Sequence, residues 1–315
     1  MMKPVMKQIF DKIQDAETIM LFRHRRIDGD CLGATKGMKG LIQCTWPEKK
    51  VYLTDDEKSG FLAFMGPDDD DVPDEVYKSA LGIVIDVGNS ERISNQKYAL
   101  CRELIKIDHH IEREPYGQIN WVEDQRSSAC EMIAAFYEVF QNELKIDRET
   151  ATYIYTGMVT DSGRFQYEGV TGETMRLAGL MLDQGVDTET LYAHLYLRSF
   201  DQLKFKGCIY ENMQVTENGV AWIHVTKKMQ QAFGLDFETA STAISSLSDI
   251  KGVLCWLAFI DTDTDEIRVR LLELWGEHKQ QMTASEIYAR ENERVMLFSP
   301  SFTLFASDFR PLMER

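Results

Sequence analysis

The stretch Thr18 to Asp30, TIMLFRHRRIDGD, joins an apolar run of five residues to a turn that carries one histidine and two aspartates. A continuous apolar run of this length is typical of a strand that is buried on both faces of a parallel sheet. A helical stretch follows at about 31–44. A strand followed directly by a helix indicates a βα unit, with the polar turn at the carboxyl end of the strand.

The same alternation continues through the first 185 or so residues. Further strands are predicted at Val51–Leu53, Leu81–Val87, Glu103–Ile107 and Gln118–Val122, and further helices at about 126–142, 148–159 and 171–184. Strands separated by helices predict an α/β fold with a doubly wound, mostly parallel sheet. In such a sheet, ligands bind at the carboxyl ends of the strands, so we expect the chemical residues just after the apolar runs.

A second, smaller α/β unit is predicted after a connector. Strands are expected at Val220–Val225, Gly252–Ile260 and Ile267–Leu272, with one or two helices in Ala232–Leu247. We therefore divide the chain into a first domain (1–185), a linker (186–205) and a second domain (206–315). The acidic run Asp68–Asp71 is interpreted as a solvated loop, because its spacing does not suit a calcium site.

Composition excludes several classes of partner. The 315-residue chain has 51 acidic and 35 basic residues and a formal net charge of −16. A surface this acidic repels long polyanions, so duplex nucleic acid is excluded, whereas a metal ion or a local arginine cluster can still hold a short phosphorylated ligand. The six cysteines form no CxxC pair and no stretch is apolar enough to span a bilayer. A cytoplasmic protein with reduced thiols and no membrane partner is therefore expected.

Histidines and aspartates follow four of the predicted elements. They are His24, Asp28 and Asp30 after TIMLF, Asp86 after LGIVI, Asp108, His109 and His110 after ELIKI, and Asp161 in TGMVTDSGRF. Imidazole and carboxylate groups together suit Mn²⁺, Mg²⁺, Fe²⁺ or Zn²⁺. Each aspartate alone also fits an ordinary turn or helix cap. Four such segments at one edge of a sheet favour a metal site over four unrelated turns.

The segments HRRIDGD, VIDVGNSER, KIDHH and TGMVTDSGRF together resemble, in order and spacing, the four motifs of the DHH phosphoesterases. Ser127–Glu131 (SSACE) resembles a helix start of the oligoribonuclease and phosphoadenosine-phosphate phosphatase subgroup. The resemblance implies a DHH catalytic domain and a DHHA1-like substrate-binding domain. It implies two metal sites: His24, Asp28 and Asp86 for one ion, and Asp30, Asp86, His109 and Asp161 for the other, with Asp86 bridging.

The resemblance also implies a mechanism. Two ions, usually Mn²⁺ with Mg²⁺ or another divalent ion as alternatives, activate a water that attacks phosphorus in line. His110 would face the scissile phosphate, and Asp108 would fix the tautomer of a histidine. Arg25, Arg26 and Arg164 are weak candidates for phosphate contacts, since an exposed arginine is usually just solvated.

The sequence departs from the family pattern near its end. Family members carry an Arg-Ser pair and then a GGGH motif in the second domain, but here IRVRL continues as LELWGEHK and no GGGH follows. His278 is therefore not equated with the histidine of that motif. Two explanations stay open for the atypical tail from about 272: divergence of the substrate grip, or a reading-frame error in the source sequence.

These observations predict a metal-dependent hydrolase of phosphoester bonds. The expected substrates are short oligoribonucleotides, linear dinucleotides or 3′-phosphoadenosine 5′-phosphate, and the sequence is compatible with a homodimer. The alternatives are an inorganic pyrophosphatase or exopolyphosphatase, and a catalytically impaired protein that binds a nucleotide without turning it over. The presence of all six metal ligands favours catalysis over the last alternative.

Overall fold

In the computed structural model, five parallel strands form the sheet of the N-terminal part of the chain. They are β1 (Thr18–Phe22), β2 (Lys50–Leu53), β3 (Leu81–Ile85), β4 (Glu103–Asp108) and β5 (Ile119–Val122). Their order is β2-β1-β3-β4-β5, and every neighbouring pair is parallel. The predicted doubly wound parallel sheet is confirmed. The strand order reverses between β1 and β3, which is where such sheets bind ligands.

The structure describes residues 3–55, 59–217, 220–243, 250, 251, 253, 255–264, 266–273 and 295–298. The chain divides into two compact units, Met1–Tyr196 and Leu197–Arg315. The segment in which the GGGH motif is missing, together with His278 and most of the tail from 272, lies outside the described residues. The predicted linker, 186–205, contains helix α7 (Thr188–Tyr196) and the first residues of the next helix.

Both faces of the first sheet are buried, which explains the continuous apolar runs of its strands. Along β1, Ile19 and Leu21 point into the larger core, while Met20 and Phe22 point into a smaller core on the opposite face. This alternation follows from the two-residue period of a strand. The sheet is therefore a buried layer between two groups of helices and loops.

Seven helices, all among the described residues, belong to the first unit. They are α1 (Pro4–Asp15), α2 (Gly29–Thr45), α3 (Asp74–Ser79), α4 (Ala129–Val139), α5 (Arg148–Asp161), α6 (Gly172–Leu182) and α7. The predicted helix 126–142 begins later, at Ala129, because the Ser128 side chain accepts a hydrogen bond from the Glu131 N–H and caps the helix there. The predicted helix 148–159 extends further, so Asp161 ends α5 rather than lying in the loop that follows.

Helix α2 packs closely against α5 through a stripe of glycines. The stripe consists of Gly29, Gly33, Gly37 and Gly40, which face Thr160, Tyr153, Ile154 and Thr150 of α5 respectively. A Cβ atom at Gly33 would lie only 2.5 Å from the Tyr153 carbonyl oxygen, so the two backbones can approach only because the side chain is absent. The two helices run antiparallel, which brings the beginning of α2 to the end of α5.

The acidic run Asp68–Asp71 was predicted as a solvated loop, and this is wrong for its first two residues. The Asp68 carboxylate pairs with the guanidinium of Arg23, which is 1% exposed. The Asp69 carboxylate accepts a hydrogen bond from the Leu53 N–H at 2.7 Å. A buried arginine requires a carboxylate partner, so this loop folds back onto the end of β1 and fixes the residue that precedes His24.

The second unit has its own sheet. Its strands are β6 (Gln214–Val215), β7 (Val220–Val225), β8 (Cys255–Asp261), β9 (Ile267–Glu273) and β10 (Val295–Phe298), in the order β10-β9-β8-β7-β6. Its described helices are α8 (Phe200–Asn212), α9 (Lys227–Ala232) and α10 (Phe237–Ala243). Phe205, Ile223, Trp256 and Ile260 lie in one core that these helices share with one face of the sheet. This is the predicted smaller α/β unit.

Among the described residues, none of the helices combines the length and the apolar character that crossing a bilayer requires.

We expect Gly33→Ala to destabilise the protein, because its Cβ would meet the Tyr153 carbonyl oxygen at 2.5 Å. Overpacking of this kind typically costs about 1–3 kcal/mol. Gly179→Ala in α6 is the matched control, since a Cβ there would meet no atom within 4 Å and alanine is the better helix former. The measurement is the midpoint of thermal unfolding for each variant. Equal midpoints for the two variants would contradict the close approach of α2 and α5.

Candidate metal centre

All six predicted metal ligands lie at the carboxyl edge of the first sheet or at the helix ends beside it. His24 follows β1, Asp86 follows β3 and His109 follows β4. The other three are Asp28, the N-cap of α2, Asp30 in its first turn, and Asp161, the last residue of α5. Three groups of ligand atoms form here, each with its atoms within 4.8 Å of one another: His24, Asp28, Cys31 and Asp86; Asp30, His109 and Asp161; and Asp86, His109 and His110.

His24 presents one ring nitrogen to two carboxylates. Its Nδ1 lies 2.7 Å from the Arg25 carbonyl oxygen, which can only accept, so Nδ1 carries the proton in the neutral ring. The Nε2 lone pair then faces Asp28 Oδ2 and Asp86 Oδ2, each at 3.3 Å. Asp28 holds its position because its Oδ1 accepts hydrogen bonds from the N–H groups at the start of α2.

Asp86 lies at the centre of the site. It is 2% exposed and has a φ of 65°, in the left-handed region that residues other than glycine seldom adopt. One carboxylate oxygen, Oδ2, faces His24, and the other, Oδ1, lies 3.3 Å from His109 Nε2. Oδ1 is buried without a hydrogen-bond partner. Strained backbone of this kind costs about 1–3 kcal/mol and is found mainly at functional sites.

His109 forms the second half of the site. Its Nδ1 lies 3.2 Å from the Arg126 carbonyl oxygen, which again directs Nε2 toward carboxylates. Asp30 Oδ2 and Asp161 Oδ2 each lie 3.6 Å from this Nε2. Asp86 therefore stands between two groups of ligands, one around each histidine.

Asp30 is held by the beginning of helix α4. Its Oδ2 accepts a hydrogen bond from the Ala129 N–H at 2.6 Å, and its Oδ1 accepts one from the Cys130 N–H at 2.8 Å. The N-terminus of a helix favours a negative charge, because its first N–H groups lack partners within the helix. Gly157 of α5 permits this arrangement, since a Cβ there would lie 3.0 Å from Asp30 Oδ1.

Without a bound cation, the buried carboxylates of the site repel one another, which shifts their pKa values. Burial and the Asp86 charge raise the pKa of Asp30 to about 7, and burial and the Asp30 charge raise that of Asp161. Burial alone would lower the pKa of His109, but the adjacent Asp86 carboxylate and the other surrounding carboxylates raise it well above its ordinary value. Burial would also raise the pKa of Asp86, but the adjacent imidazoles of His109 and His24 hold it far below the usual range.

This donor set fits divalent metal ions. Ligand atoms bonded to one ion at about 2.0–2.2 Å lie roughly 3–3.6 Å apart, and the separations from the two histidine Nε2 atoms are 3.3–3.6 Å. Buried carboxylates with an unpartnered oxygen are costly unless a cation compensates them. The neutral form is the form of histidine that binds metal, and in that form both rings would present an unprotonated Nε2 to these carboxylates.

His110 and Asp108 form a pair beside the ligands. Asp108 Oδ1 accepts hydrogen bonds from His110 Nδ1 at 2.8 Å and from the His110 N–H at 3.2 Å. The His110 side chain is 40% exposed, whereas that of Asp108 is fully buried. Asp108 thus fixes the orientation of the His110 ring, and the exposed part of the ring is accessible to a substrate.

Lys106 supports this pair from within the sheet and was missed by the sequence analysis. Its Nζ donates to the carbonyl oxygens of Gly88 at 2.9 Å and Glu114 at 3.2 Å, and lies 3.4 Å from Asp108 Oδ2. A lysine inside the apolar run ELIKI is the signal that could have identified it.

Arg126, also missed, supports His109. Its guanidinium contacts three carboxylates at 2.9–3.0 Å: those of Glu123, Glu131 and Glu173. These ion pairs fix the backbone whose carbonyl oxygen orients His109. No local pattern in the sequence could have indicated this, because the partners come from a loop and two helices.

The three arginines predicted as weak phosphate contacts lie on the surface. Arg25 and Arg26 are exposed in the turn after β1. Arg164 stacks its guanidinium 4.6 Å from the centre of the Tyr196 ring.

Cys31, which no motif singled out, is fully buried among the first group of ligands. Burial and the Asp28 charge raise the pKa of its thiol to about 12.

The chain is similar to several known proteins. Residues 18–158 match the model of the DHH family, N-terminal domain. The chain is 35% identical over 257 residues to the bifunctional oligoribonuclease and PAP phosphatase NrnA of Bacillus subtilis, covering 81% of this chain and 80% of that one. It is 34% identical over 267 residues to the probable enzyme of the same name from Streptococcus mutans, covering 84% of each chain.

A solved structure shares the fold. It is that of an exopolyphosphatase-related protein from Bacteroides fragilis, with a TM-score of 0.77, 20% sequence identity and coverage of 99% of this chain and 98% of that one.

The pKa shifts predict that the metal-free protein loses stability as the pH rises from about 4 to above 7. Because the pKa of Asp30 is raised, its protonation stabilises the folded protein. This stabilisation is fully present below the ordinary Asp pKa of 3.8 and is lost as the pH rises through about 7. The raised pKa of His109 acts in the same direction above its ordinary value of 6.5. Asp86, with its lowered pKa, loses its contribution only in strong acid. The measurement is the thermal midpoint of chelator-treated protein from about pH 5 to 8.

The matched control for this series is Asp30→Asn, which removes one titrating group and should give a shallower decline. Added divalent metal should abolish the decline, because metal binding favours the deprotonated ligands. A metal-free protein whose midpoint rises steadily over this range would contradict the electrostatics described above.

Proposed function

Because the chain belongs to the DHH family of phosphoesterases, we propose that it hydrolyses phosphoester bonds in short oligoribonucleotides and in 3′-phosphoadenosine 5′-phosphate. One observation carries the proposal. The buried carboxylate of Asp86 stands between the Nε2 atoms of His24 and His109, with each oxygen 3.3 Å from one of them. This arrangement suits a carboxylate that bridges two metal ions.

The residues divide into two sets of ligands. His24, Asp28 and Asp86 would hold one ion, and Asp30, Asp86, His109 and Asp161 the other. Imidazole with several carboxylates is a donor set that suits Mn²⁺, which we propose as the ion in use, with Mg²⁺ as the alternative. When bound, such ions supply a water of lowered pKa and neutralise charge on the phosphoryl oxygens.

The residues beside the ligands would act on the substrate. The His110 side chain is 40% exposed, and Asp108 Oδ1 lies 2.8 Å from its Nδ1. From this position the ring can stabilise the developing charge on phosphate or donate a proton to the leaving oxygen. Lys106, 3.4 Å from Asp108 Oδ2, holds the aspartate in place. The hydrolysis needs no protein nucleophile.

The choice of substrate rests on two observations. The relatives from Bacillus subtilis and Streptococcus mutans, to which the chain is 35% and 34% identical, are named as oligoribonucleases and PAP phosphatases. The net charge of −16 disfavours long polyanions but permits a ligand with few phosphates. We assign catalysis to the first domain and substrate binding to the second domain, 206–315.

The direct test is hydrolysis of an RNA dinucleotide and of 3′-phosphoadenosine 5′-phosphate by the purified full-length chain. We expect activity with Mn²⁺ and none with chelator. Asp86→Asn should lower kcat/KM by more than the roughly 10²–10³-fold lost with a single transition-state donor, because both ligand sets share this residue. Asp70→Asn, in the exposed part of the acidic run, is the matched control and should keep full activity. Equal activity of the two variants, or activity in chelator, would refute the proposal.

His110→Ala separates catalysis from metal binding. We expect kcat to fall by about 10²–10⁴-fold, the range for loss of a general acid, while the metal content stays that of the wild type. His194→Ala is the control, since this exposed histidine stacks on Phe64 outside the metal centre. A His110→Ala enzyme with unchanged kcat would remove His110 from the mechanism.

A further inference from the structure

Cys31 lies among the ligand atoms of the first metal set. It occupies the first turn of α2, and its Sγ is within 4.8 Å of ligand atoms from His24, Asp28 and Asp86. The side chain is fully buried. Its Sγ donates a weak hydrogen bond to the Asp28 carbonyl oxygen at 3.6 Å. The thiol is thus positioned by the same turn that positions Asp28.

A buried cysteine ordinarily packs as a small apolar residue, but the surroundings of Cys31 are not apolar. Within the described residues, the Asp86 carboxylate is 2% exposed, and its Oδ2 lies 3.3 Å from His24 Nε2. Asp28 Oδ2 lies at the same distance from that nitrogen. A buried carboxylate and an imidazole nitrogen held this close suit a divalent ion independently of the cysteine, and Sγ lies within 4.8 Å of both.

Cys130 shows the contrast. It is also fully buried, and its Sγ lies 3.5 Å from the Asp30 carbonyl oxygen. It packs against the glycines of the α2–α5 contact, where a Cβ at Gly157 would meet its Sγ at 2.2 Å. Among the described residues Cys130 belongs to none of the three groups of ligand atoms. Burial near the site therefore does not by itself place a thiol among the ligands.

We propose that Cys31 is a fourth protein ligand of the metal ion held by His24, Asp28 and Asp86. This proposal rests on the function proposed above. On binding, a bond forms between Sγ and the ion, and the thiol proton passes to solvent. The first site then has one nitrogen, one sulfur and carboxylate oxygens as donors. The second site, around His109, has nitrogen and oxygen only.

The two sites should therefore prefer different ions. A thiolate favours softer divalent ions such as Zn²⁺, Co²⁺ and Fe²⁺, whereas carboxylate-rich sites suit Mn²⁺ and Mg²⁺. The first site is expected to take the softer ion when both kinds are present. The second is expected to keep Mn²⁺. The identity of the ion at the first site is therefore expected to depend on the Cys31 side chain.

The test is titration of the metal-stripped full-length chain with Co²⁺, followed by absorption spectroscopy. Bound Co²⁺ gives weak visible d–d bands with any ligand set, and a thiolate ligand adds an intense charge-transfer band in the near ultraviolet. We expect the intense band in the wild type and in Cys101→Ser, a control that removes a thiol remote from the ligand groups. We expect Cys31→Ser to lose that band while keeping the d–d bands.

Affinity provides the second readout. Cys31→Ser should weaken Zn²⁺ binding at the first site by at least the roughly 10–100-fold that is typical of losing even an outer-shell partner, with Mn²⁺ binding at the second site unchanged. Wild-type d–d bands without the charge-transfer band would overturn the role of Cys31 and leave the phosphoesterase proposal intact. Absence of any Co²⁺ binding would overturn both. A wild-type spectrum without the intense band contradicts the proposal even where the variant fails to fold.

Discussion

The placement of one buried carboxylate, that of Asp86, is the constraint on which the rest of the site depends. Its backbone is left-handed, with a φ of 65°, directly after the central strand β3. That conformation aims one oxygen at His24 and the other at His109, each at 3.3 Å. A carboxylate held in this way, with Oδ1 unpartnered, is unfavourable in a protein without a cation. This unfavourable arrangement lies where the strand order reverses, and a bound cation would compensate for it.

The surrounding structure holds the other ligands against this residue from two sides. On the sheet side, the parallel strands β1, β3 and β4 end at one edge, so the residues that follow them meet there. On the helix side, the glycine stripe of α2 lets α5 approach closely, which brings Asp30 toward Asp161. The N-terminus of α4 then fixes Asp30 through two backbone N–H groups. We therefore expect substitutions in these helices, even far from the candidate ligands, to disturb the geometry of the site.

The sheet and the six candidate ligands could be predicted from the sequence because their signals are local. Each strand is a short apolar run, and each ligand lies in or beside a recognisable turn, as in HRRIDGD and KIDHH. The supporting residues could not be predicted in the same way. Arg23 pairs with Asp68 and Arg126 pairs with Glu173, both distant in sequence, and Lys106 donates to backbone carbonyl groups. The position of the acidic run could not be predicted for the same reason, because Asp68 lies inward as the ion-pair partner of the buried Arg23.

We propose that Asp86 joins two metal ions in one site. This proposal is tested most directly by electron paramagnetic resonance of the metal-stripped chain titrated with Mn²⁺ as the only divalent ion. We expect two Mn²⁺ to bind per chain and to form a magnetically coupled pair, and Asp86→Asn to abolish the coupling. A single uncoupled Mn²⁺ at saturation, with the same spectrum in wild type and Asp86→Asn, would contradict it.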